Sequence, residues 1–208
     1  GEYEKHVFEL VAAENPDLIL LAGDYLHFSD TSDYLVGKEV LNTIVLDAEL
    51  AAPLGIYAVR GNVDWGGWEE IFAGSPVVPL EITSSRDLDS MVLTILSLQD
   101  SGDPGLSILG QDKFHIVLGH KPDFSLGEIE ADLLIAGHTH GGQVRIPFIG
   151  PIFTASRVPR AWSAGITEIK PEQYLLVSRG VGLERGNAPR LRLFCRPELI
   201  IVDLLPAE

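Results

Sequence analysis

The 208-residue sequence has few cysteine and basic side chains, and each shortage narrows what the protein can be. Cys195 is the one cysteine, so the chain forms no internal disulfide and holds no zinc site built from cysteines. Lysine and arginine total 15 against 30 aspartate and glutamate residues, which gives a formal net charge of -15. Because binding to nucleic-acid phosphates requires a basic surface, this charge argues against a nucleic-acid partner.

Long apolar runs and nucleophile motifs are also missing. No run of about 18 apolar residues is present, so no segment is predicted to span a membrane. The Gly-x-Ser-x-Gly motif is absent, and Cys195 lies between Phe194 and Arg196 with no catalytic partner nearby in the sequence. Hydrophobic residues make up 46% of the chain and charged residues 22%, which is typical of a globular protein. The length predicts a single domain over residues 1–208.

Short apolar runs alternate with helical patterns in the first half of the chain. The predicted elements there are a helix ending near Asn15-Pro16, a strand over 17–22, a helix over 34–51, a strand over 56–59 and a short helix over 68–73. Farther along, strands are predicted over 77–82, 91–98, 114–118, 133–136, 174–178 and 199–204, with a turn at 84–89 and a long surface loop over 144–165. This alternation predicts an α/β fold with a largely parallel sheet.

Four of the predicted strands end in a glycine followed by polar residues. The signatures are Gly23-Asp24, Gly61-Asn62, Gly119-His120 and Gly137-His138-Thr139-His140. Taken singly, each has an ordinary explanation, because Asp and Asn favour caps and turns and a histidine can be a satisfied core or loop residue. Taken together they predict one site, because the ends of parallel strands lie along one edge of a sheet.

One aspartate, one asparagine and three histidines at one sheet edge form a set of metal ligands. Imidazole favours zinc, iron or manganese over calcium and magnesium, and a carboxylate can bridge two ions. Two such ions can hold a phosphoryl group between them and generate hydroxide from bound water near neutral pH. The sequence therefore predicts hydrolysis of a phosphate ester with two divalent or trivalent ions, of manganese, zinc or iron.

The order of these ligands resembles the calcineurin-like metallophosphoesterases, and among them the phosphodiesterases of the YkuE and YaeI type. The resemblance extends to residues 137–147, to Ser178-Arg179-Gly180-Val181-Gly182 and to Arg196-Pro197-Glu198. It implies a four-layer α/β/β/α sandwich of two mixed sheets with a dinuclear metal site. In the family pattern Asp24 bridges the two ions, and His140 helps to hold one of them. The other ion is held by Asn62, His120 and His138, which with Asp24 are the implied catalytic residues.

Two departures from the family pattern bear on activity. The family begins with an Asp-x-His motif on a first strand, which supplies ligands to the ion near His140, and no such motif precedes Gly23. We expect an N-terminal strand to be missing from this chain, together with any anchor that would bring the protein to a membrane surface. The alternative is a site with one ion. Val63 stands where many members have a histidine that assists the leaving group, and Asp64 either substitutes for that histidine or caps the helix near Trp68.

A loop that contains arginines and aromatic residues predicts the substrate contacts. Arg145, Arg157 and Arg160 can grip a phosphate, and the aromatic residues can cover a base, sugar or acyl chain. These aromatic residues are Phe148, Phe153 and Trp162. The alternative is a loop whose aromatics pack on the body of the protein while its arginines stay in solvent. The predicted substrate is a small phosphodiester, nucleotide-linked or lipid-linked. A phosphomonoesterase and a catalytically silent binding module are the alternatives, and both a cytoplasmic and a membrane-peripheral location stay open.

Overall fold

The computed structural model describes residues 1–183 and 191–205 and has an α/β architecture with several sheets. The α-helices are α1 (Glu2–Ala13), α2 (Thr31–Asp47) and the short α3 (Leu98–Ser101). The strands are β1 (Ile19–Leu21), β2 (Ile56–Val59), β3 (Val77–Leu80), β4 (Ser84–Asp87), β5 (Met91–Ile95), β6 (Ser107–Ile108), β7 (Phe114–Leu118), β8 (Glu128–Ile129), β9 (Leu133–Ala136), β10 (Arg145–Ile146), β11 (Gly150–Pro151), β12 (Gly165–Lys170) and β13 (Gln173–Val177). Short 3-10 helices lie at Trp68–Phe72, Pro122–Leu126, His140–Gly142 and Arg160–Trp162.

The strands form two main sheets and two small ones. In the smaller main sheet β2 pairs in parallel with β1 and with β3, and Ile56 lies beside both Ile19 and Val77. The larger main sheet has the strand order β12-β13-β9-β7-β5-β4, with antiparallel pairs at its two edges and parallel pairs between them. Within the described residues the larger main sheet is therefore mixed as predicted, whereas the smaller one contains only parallel pairs.

Alternate residues of β2 face the two sides of the smaller main sheet and define the layers. Ile56 and Ala58 are buried in a core cluster with residues of α1 and α2. Tyr57 and Val59 are buried in a second cluster with residues of the larger sheet, such as Ile116. A third cluster covers the other side of the larger sheet. None of the described helices combines the length and apolar composition needed to cross a bilayer.

Two polar strands were not predicted from the sequence. Residues 84–87, predicted as part of a turn, form β4, and residues 165–170, not predicted as a strand, form β12. Both are edge strands of the larger sheet, and in both the more exposed residues alternate with the less exposed ones. An edge strand with one solvated face tolerates polar residues, so its composition does not distinguish it from a turn. The predicted helices and the other strands, apart from the last, are present with ends that differ by a few residues.

The predicted strand over residues 199–204 is wrong. Leu199, Ile201 and Val202 are 42%, 55% and 45% exposed, and none of these residues lies in a strand. Ile200 alone among them packs against the cluster between the sheets. Apolar and β-branched residues raise strand propensity, but a strand also requires a hydrogen-bonded neighbour, and no described strand pairs with this segment.

Candidate metal centre

Asp24 lies at the end of β1, where the backbone adopts an uncommon conformation. Its φ angle is 62°, and that of the preceding Gly23 is 88°. Gly61, from the loop after β2, approaches so closely that a Cβ atom at that position would collide with the backbone and carboxylate of Asp24. Only glycine permits this approach, which brings the ends of two neighbouring strands together.

His120 links the ends of the two main sheets. The side chain follows β7 and is fully buried, and its Nδ1 lies 2.7 Å from the carbonyl oxygen of Ala22. Because a carbonyl can only accept, Nδ1 carries a proton, and Nε2 is the ring nitrogen that faces the other candidate ligands. Nε2 lies 2.9 Å from Oδ1 of Asn62 and 3.3 Å from Oδ1 of Asp24. A cation between these three electron-pair donors would stabilise the arrangement.

His138 adds a third ligand from the loop after β9. Its Nε2 donates to the carbonyl oxygen of Ala155 at 3.0 Å, while its Nδ1 is buried and has no hydrogen-bond partner among the described residues. Three candidate ligand atoms lie within 4.8 Å of one another, one each from Asp24, His120 and His138. The backbone carbonyls of Ala22 and Ala155 therefore orient the two imidazoles, as hydrogen-bond acceptors do for histidines that bind metals. The unpaired Nδ1 and the chemistry of these donors fit a metal ion.

The protonation states of the candidate ligands also fit a metal ion. Burial raises the pKa of Asp24, but the hydrogen bond and charge of His120, together with the N–H of Val63, outweigh it and hold the pKa below its ordinary value. Burial lowers the pKa of His138, and the neighbouring His120 lowers it further. Near neutral pH Asp24 is therefore ionised and His138 neutral, the states in which each donates an electron pair to a metal.

His140 lies on the other side of the Asp24 carboxylate. Its Nε2 is 3.9 Å from Oδ2 of Asp24, whereas His120 faces Oδ1. The carbonyl oxygen of His140 accepts from Sγ of Cys195 at 3.3 Å, and its φ angle is 48°. The two carboxylate oxygens of Asp24 therefore face different histidines, the arrangement that a bridging carboxylate requires.

Asp64 has neither of the two roles predicted for it. Its carboxylate accepts four backbone N–H groups, from Asp24 at 2.9 Å, Tyr25 at 2.8 Å, Leu26 at 3.3 Å and Gly61 at 2.7 Å. The helix at Trp68–Phe72 begins after Gly67 and has no side-chain cap, so Asp64 does not cap it. Because both oxygens of Asp64 are occupied by backbone donors, the side chain is not placed to substitute for a histidine at position 63. It holds the loops after β1 and β2 together instead.

The four predicted substrate contacts lie between the histidine loop and β12. Arg145 donates from Nη1 to the carbonyl of Gly141 at 3.1 Å, within the histidine loop. Arg157 and Arg160 are exposed, and Trp162 is half-buried against the outer core cluster of the larger sheet. The segment is not one long loop, because it contains the hairpin of β10 and β11 and a 3-10 helix.

A cavity of about 490 Å³ is lined by two cations that no sequence pattern marked. These are Arg60, two residues before Asn62, and Lys121, the residue after His120. Arg60 donates to the carbonyl oxygen of Asp64 at 3.0 and 3.2 Å and lies 3.7 Å from Glu81, which also lines the cavity. The lining residues follow four separate strands, β2, β3, β5 and β7, so no short sequence motif contains them.

The sequence is similar to a family model and to several known proteins. Residues 3–142 match the family model of the calcineurin-like phosphoesterases. The chain is 31% identical to the metallophosphoesterase YkuE of Bacillus subtilis, over 96% of this chain and 72% of the relative. It is also 31% identical to the phosphodiesterase YaeI of Escherichia coli, over 92% of this chain and 72% of the relative. Identity to the UDP-2,3-diacylglucosamine pyrophosphatase LpxG of Chlamydia muridarum is 23%, over 97% of this chain and 78% of the relative.

Proposed function

The chain belongs to the calcineurin-like phosphoesterase family, as the order of its ligands predicted, and we propose that it is a metal-dependent phosphodiesterase. The observation that carries the proposal is the group formed by Asp24, His120 and His138, whose ligand atoms lie within 4.8 Å of one another. Proteins of this family generally bind divalent metals and hydrolyse phosphoesters. The similarity to YaeI, which is named a phosphodiesterase, supports a diester over a monoester as the substrate.

The proposed roles follow the positions of the ligands. Asn62, His120 and His138 would hold one ion, His140 would help to hold a second, and Asp24 would be a ligand of both. Imidazole and carboxylate donors suit manganese, zinc or iron. Such ions, when bound, polarise the phosphoryl oxygens and lower the pKa of water. In the reaction a water oxygen bonds to phosphorus, the P–O bond to the leaving group breaks, and the proton released by the water goes to solvent or to the leaving group.

Val63 favours substrates whose leaving group needs no proton from the enzyme. Its N–H donates to Oδ1 of Asp24 at 3.2 Å, but its apolar side chain has no proton to give. Aryl esters and anhydrides, whose leaving groups are stable as anions, meet this condition. A relative whose name describes a UDP-2,3-diacylglucosamine pyrophosphatase supports a nucleotide-linked or lipid-linked substrate.

The second ion requires more ligands than His140 and Asp24, and we propose that a further strand beside β1 supplies them within a four-layer α/β/β/α sandwich. In the part of the chain that the structure describes, β1 pairs with β2 alone, so its other edge is open to a further strand. Metal analysis tests this part of the proposal. Two ions in a form extended before Gly1 and one ion in the present chain would support it, and one ion in both would overturn it.

The central experiment measures bound metal and hydrolysis on the same preparations. Each protein is incubated with Mn²⁺, its metal content is determined by mass spectrometry, and turnover of bis(p-nitrophenyl) phosphate and p-nitrophenyl phosphate is followed. We expect Mn²⁺-dependent turnover that is faster with the diester. Because His138 supplies an otherwise unpaired donor, His138→Ala should lower turnover at least about 100-fold. His6→Ala, at an exposed histidine of α1, is the matched control.

The alternatives are a catalytically silent binding module and a phosphomonoesterase. Polar side chains withdrawn from solvent cost folding free energy, and the retention of the fully buried His120 beside Asp24 and His138 supports an enzyme over a silent module. A preparation that binds no metal and turns over neither substrate would favour the binding module. Faster turnover of the monoester than of the diester would overturn the proposed substrate class.

A further inference from the structure

The hairpin of β10 and β11 carries apolar side chains that project into solvent. Phe148 is fully exposed and Ile149 is 74% exposed. Ile152 and Phe153, directly after β11, are 52% and 71% exposed. We call these four residues the apolar tip. Contiguous exposed apolar residues on a protein surface mark an interaction site more often than scattered ones do.

A tight turn holds the apolar tip in a strained conformation. The N–H of Ile149 donates to the carbonyl oxygen of Ile146 at 3.1 Å, with Pro147 and Phe148 between them. Phe148 has a φ angle of 68°, in the left-handed region that such turns normally fill with glycine or asparagine. The turn therefore holds an exposed aromatic ring in a backbone conformation that bulky residues seldom adopt.

The stretch of sequence that contains the apolar tip carries a charge opposite in sign to that of the whole protein. From Leu133 to Thr167 the sequence contains no aspartate or glutamate and three arginines, although the net charge of the chain is -15. Arg157 and Arg160 are exposed, and the 3-10 helix that begins at Arg160 packs against β11. Asp123 reaches this segment from outside, but it is buried and its Oδ1 accepts from Ser156 and the N–H of Arg157.

We propose that the apolar tip docks on an anionic lipid bilayer, with Phe148 at the level of the acyl chains and the two exposed arginines at the phosphates. Exposed apolar side chains on a short hairpin can enter a lipid interface, whereas a stable protein partner needs a wider, complementary surface. The long apolar stem of arginine lets its charge reach the headgroups. Because the rest of the molecule is strongly acidic, an anionic surface repels it, and the tip is the part that approaches.

The apolar tip is mechanically connected to the candidate metal centre. The carbonyl of Ala155, two residues after the tip, accepts from Nε2 of His138 at 3.0 Å. Gly142 in the histidine loop lies so close to Pro151 of β11 that a Cβ atom at Gly142 would collide with it. Docking through the tip therefore brings the centre close to the bilayer. The docking itself does not depend on hydrolysis.

Cosedimentation with vesicles tests the proposal. The vesicles contain phosphatidylcholine alone, or equal parts of phosphatidylcholine and phosphatidylglycerol. We expect the wild-type protein to bind the anionic vesicles and to dissociate as salt is raised. Phe148→Ser combined with Ile149→Ser should lower the partition coefficient at least about tenfold, because two apolar side chains no longer enter the interface. Leu109→Ser, at a side chain that is 76% exposed elsewhere, is the matched control and should bind like the wild type.

A second variant tests the charge. Arg157→Gln combined with Arg160→Gln should lower the partition coefficient on anionic vesicles about tenfold at low salt and leave binding to neutral vesicles unchanged. All these side chains are in solvent, so the variants should fold, and circular dichroism checks this. In Phe148→Trp, brominated lipids should quench the fluorescence of the new tryptophan more strongly than they quench that of the wild-type tryptophans.

Three results would overturn the docking proposal. The first is no binding of the wild-type protein to anionic vesicles. The second is unchanged binding when Phe148 and Ile149 are replaced by serine. The third is a partition coefficient that falls as much in Leu109→Ser as in the double serine variant. A dimer in analytical ultracentrifugation that the double serine variant dissociates would assign the apolar tip to contact between copies of the chain instead.

Discussion

The carboxylate of Asp64 accepts the backbone N–H of Asp24 at 2.9 Å, so one buried acid fixes the backbone of another that faces the candidate metal centre. The same oxygen accepts the N–H of Gly61 at 2.7 Å, from the loop that also carries Asn62. Burial raises the pKa of Asp64, and the hydrogen bond from Gly61 opposes that rise. One side chain therefore sets the distance between two loops whose own side chains converge on His120.

Asp64→Asn should weaken both the fold and metal binding. An amide has one acceptor oxygen, so its NH₂ group would face backbone donors that now bond to a carboxylate oxygen. We expect a loss of about 2–3 kcal/mol in the free energy of unfolding and about 10- to 100-fold in Mn²⁺ affinity. Urea unfolding and metal titration measure the two effects. Asp112→Asn, at an exposed aspartate, is the control, and equal behaviour of the two variants would contradict the role of Asp64.

Gly61→Ala should disrupt the contact between the loops after β1 and β2. The added Cβ atom would collide with the backbone of Asp24, which cannot move away without losing its bonds to Asp64. We expect a destabilisation of about 1–3 kcal/mol and a loss of metal affinity. Gly66→Ala is the matched control, because a Cβ atom there would meet nothing within 4 Å. Thermal unfolding with and without Mn²⁺ compares the variants, and similar melting temperatures would contradict the close-approach argument.

The convergence of the ligand loops could be predicted because each loop follows a short apolar strand and places a glycine directly before its first candidate ligand. Asp24 and Asn62 follow parallel strands of one sheet, and His120 and His138 follow parallel strands of the other. The carboxyl ends of parallel strands lie at the same edge of a sheet, so residues that directly follow such strands lie close together in space. The structure brings His120 to within 2.9 Å of Asn62 across 58 residues of sequence. The roles of these ligands in binding ions stay predictions.

The supporting interactions could not be predicted, because they leave no local pattern. Asp64 bonds to backbone groups about 40 residues away, and any backbone N–H can serve as its partner whatever the residue type. The cavity beside Arg60 and Lys121 likewise depends on how separate loops pack. Strand propensity suggested a strand at 199–204, but pairing is a tertiary property, and this segment has no partner strand among the described ones.

Protonation of His115 should lower the free energy of unfolding in acid. It is buried in β7, where Nδ1 donates to the carbonyl of Glu130 at 3.2 Å and Nε2 accepts from Thr94 at 2.8 Å. Burial lowers its pKa, and the Glu130 carbonyl and the charge of Asp132 offset only part of this effect. Below about pH 6.5 the His115 side chain therefore binds a proton more readily in the unfolded chain than in the folded chain. Stability from this residue is complete above that pH and is lost as the pH falls below it, by up to about 1.4 kcal/mol per unit.

Replacement of His115 isolates this contribution. His115→Gln should flatten the loss of unfolding free energy between about pH 6.5 and 5.5, because glutamine does not titrate. His6→Gln, at an exposed histidine, should keep the wild-type slope. Urea unfolding at several pH values provides the measurement. A slope in His115→Gln equal to that of the wild type would assign the acid sensitivity to other groups.

Arg192 should hold the segment that follows residue 190 against the histidine loop. Its Nη2 donates to the carbonyl of Arg179 at 2.7 Å, its Nε donates to that of Gly182 at 3.0 Å, and its Nη1 lies 3.4 Å from that of His140. Lysine has one ammonium group and cannot span these acceptors, so Arg192→Lys should cost about 1–3 kcal/mol of unfolding free energy. Reaction of the buried Cys195 thiol with Ellman's reagent reports local opening, because this thiol also bonds to His140, and it should become faster in the variant. Arg196→Lys, at an exposed arginine, should change neither quantity, and an unaltered thiol rate in Arg192→Lys would show that other contacts hold the segment.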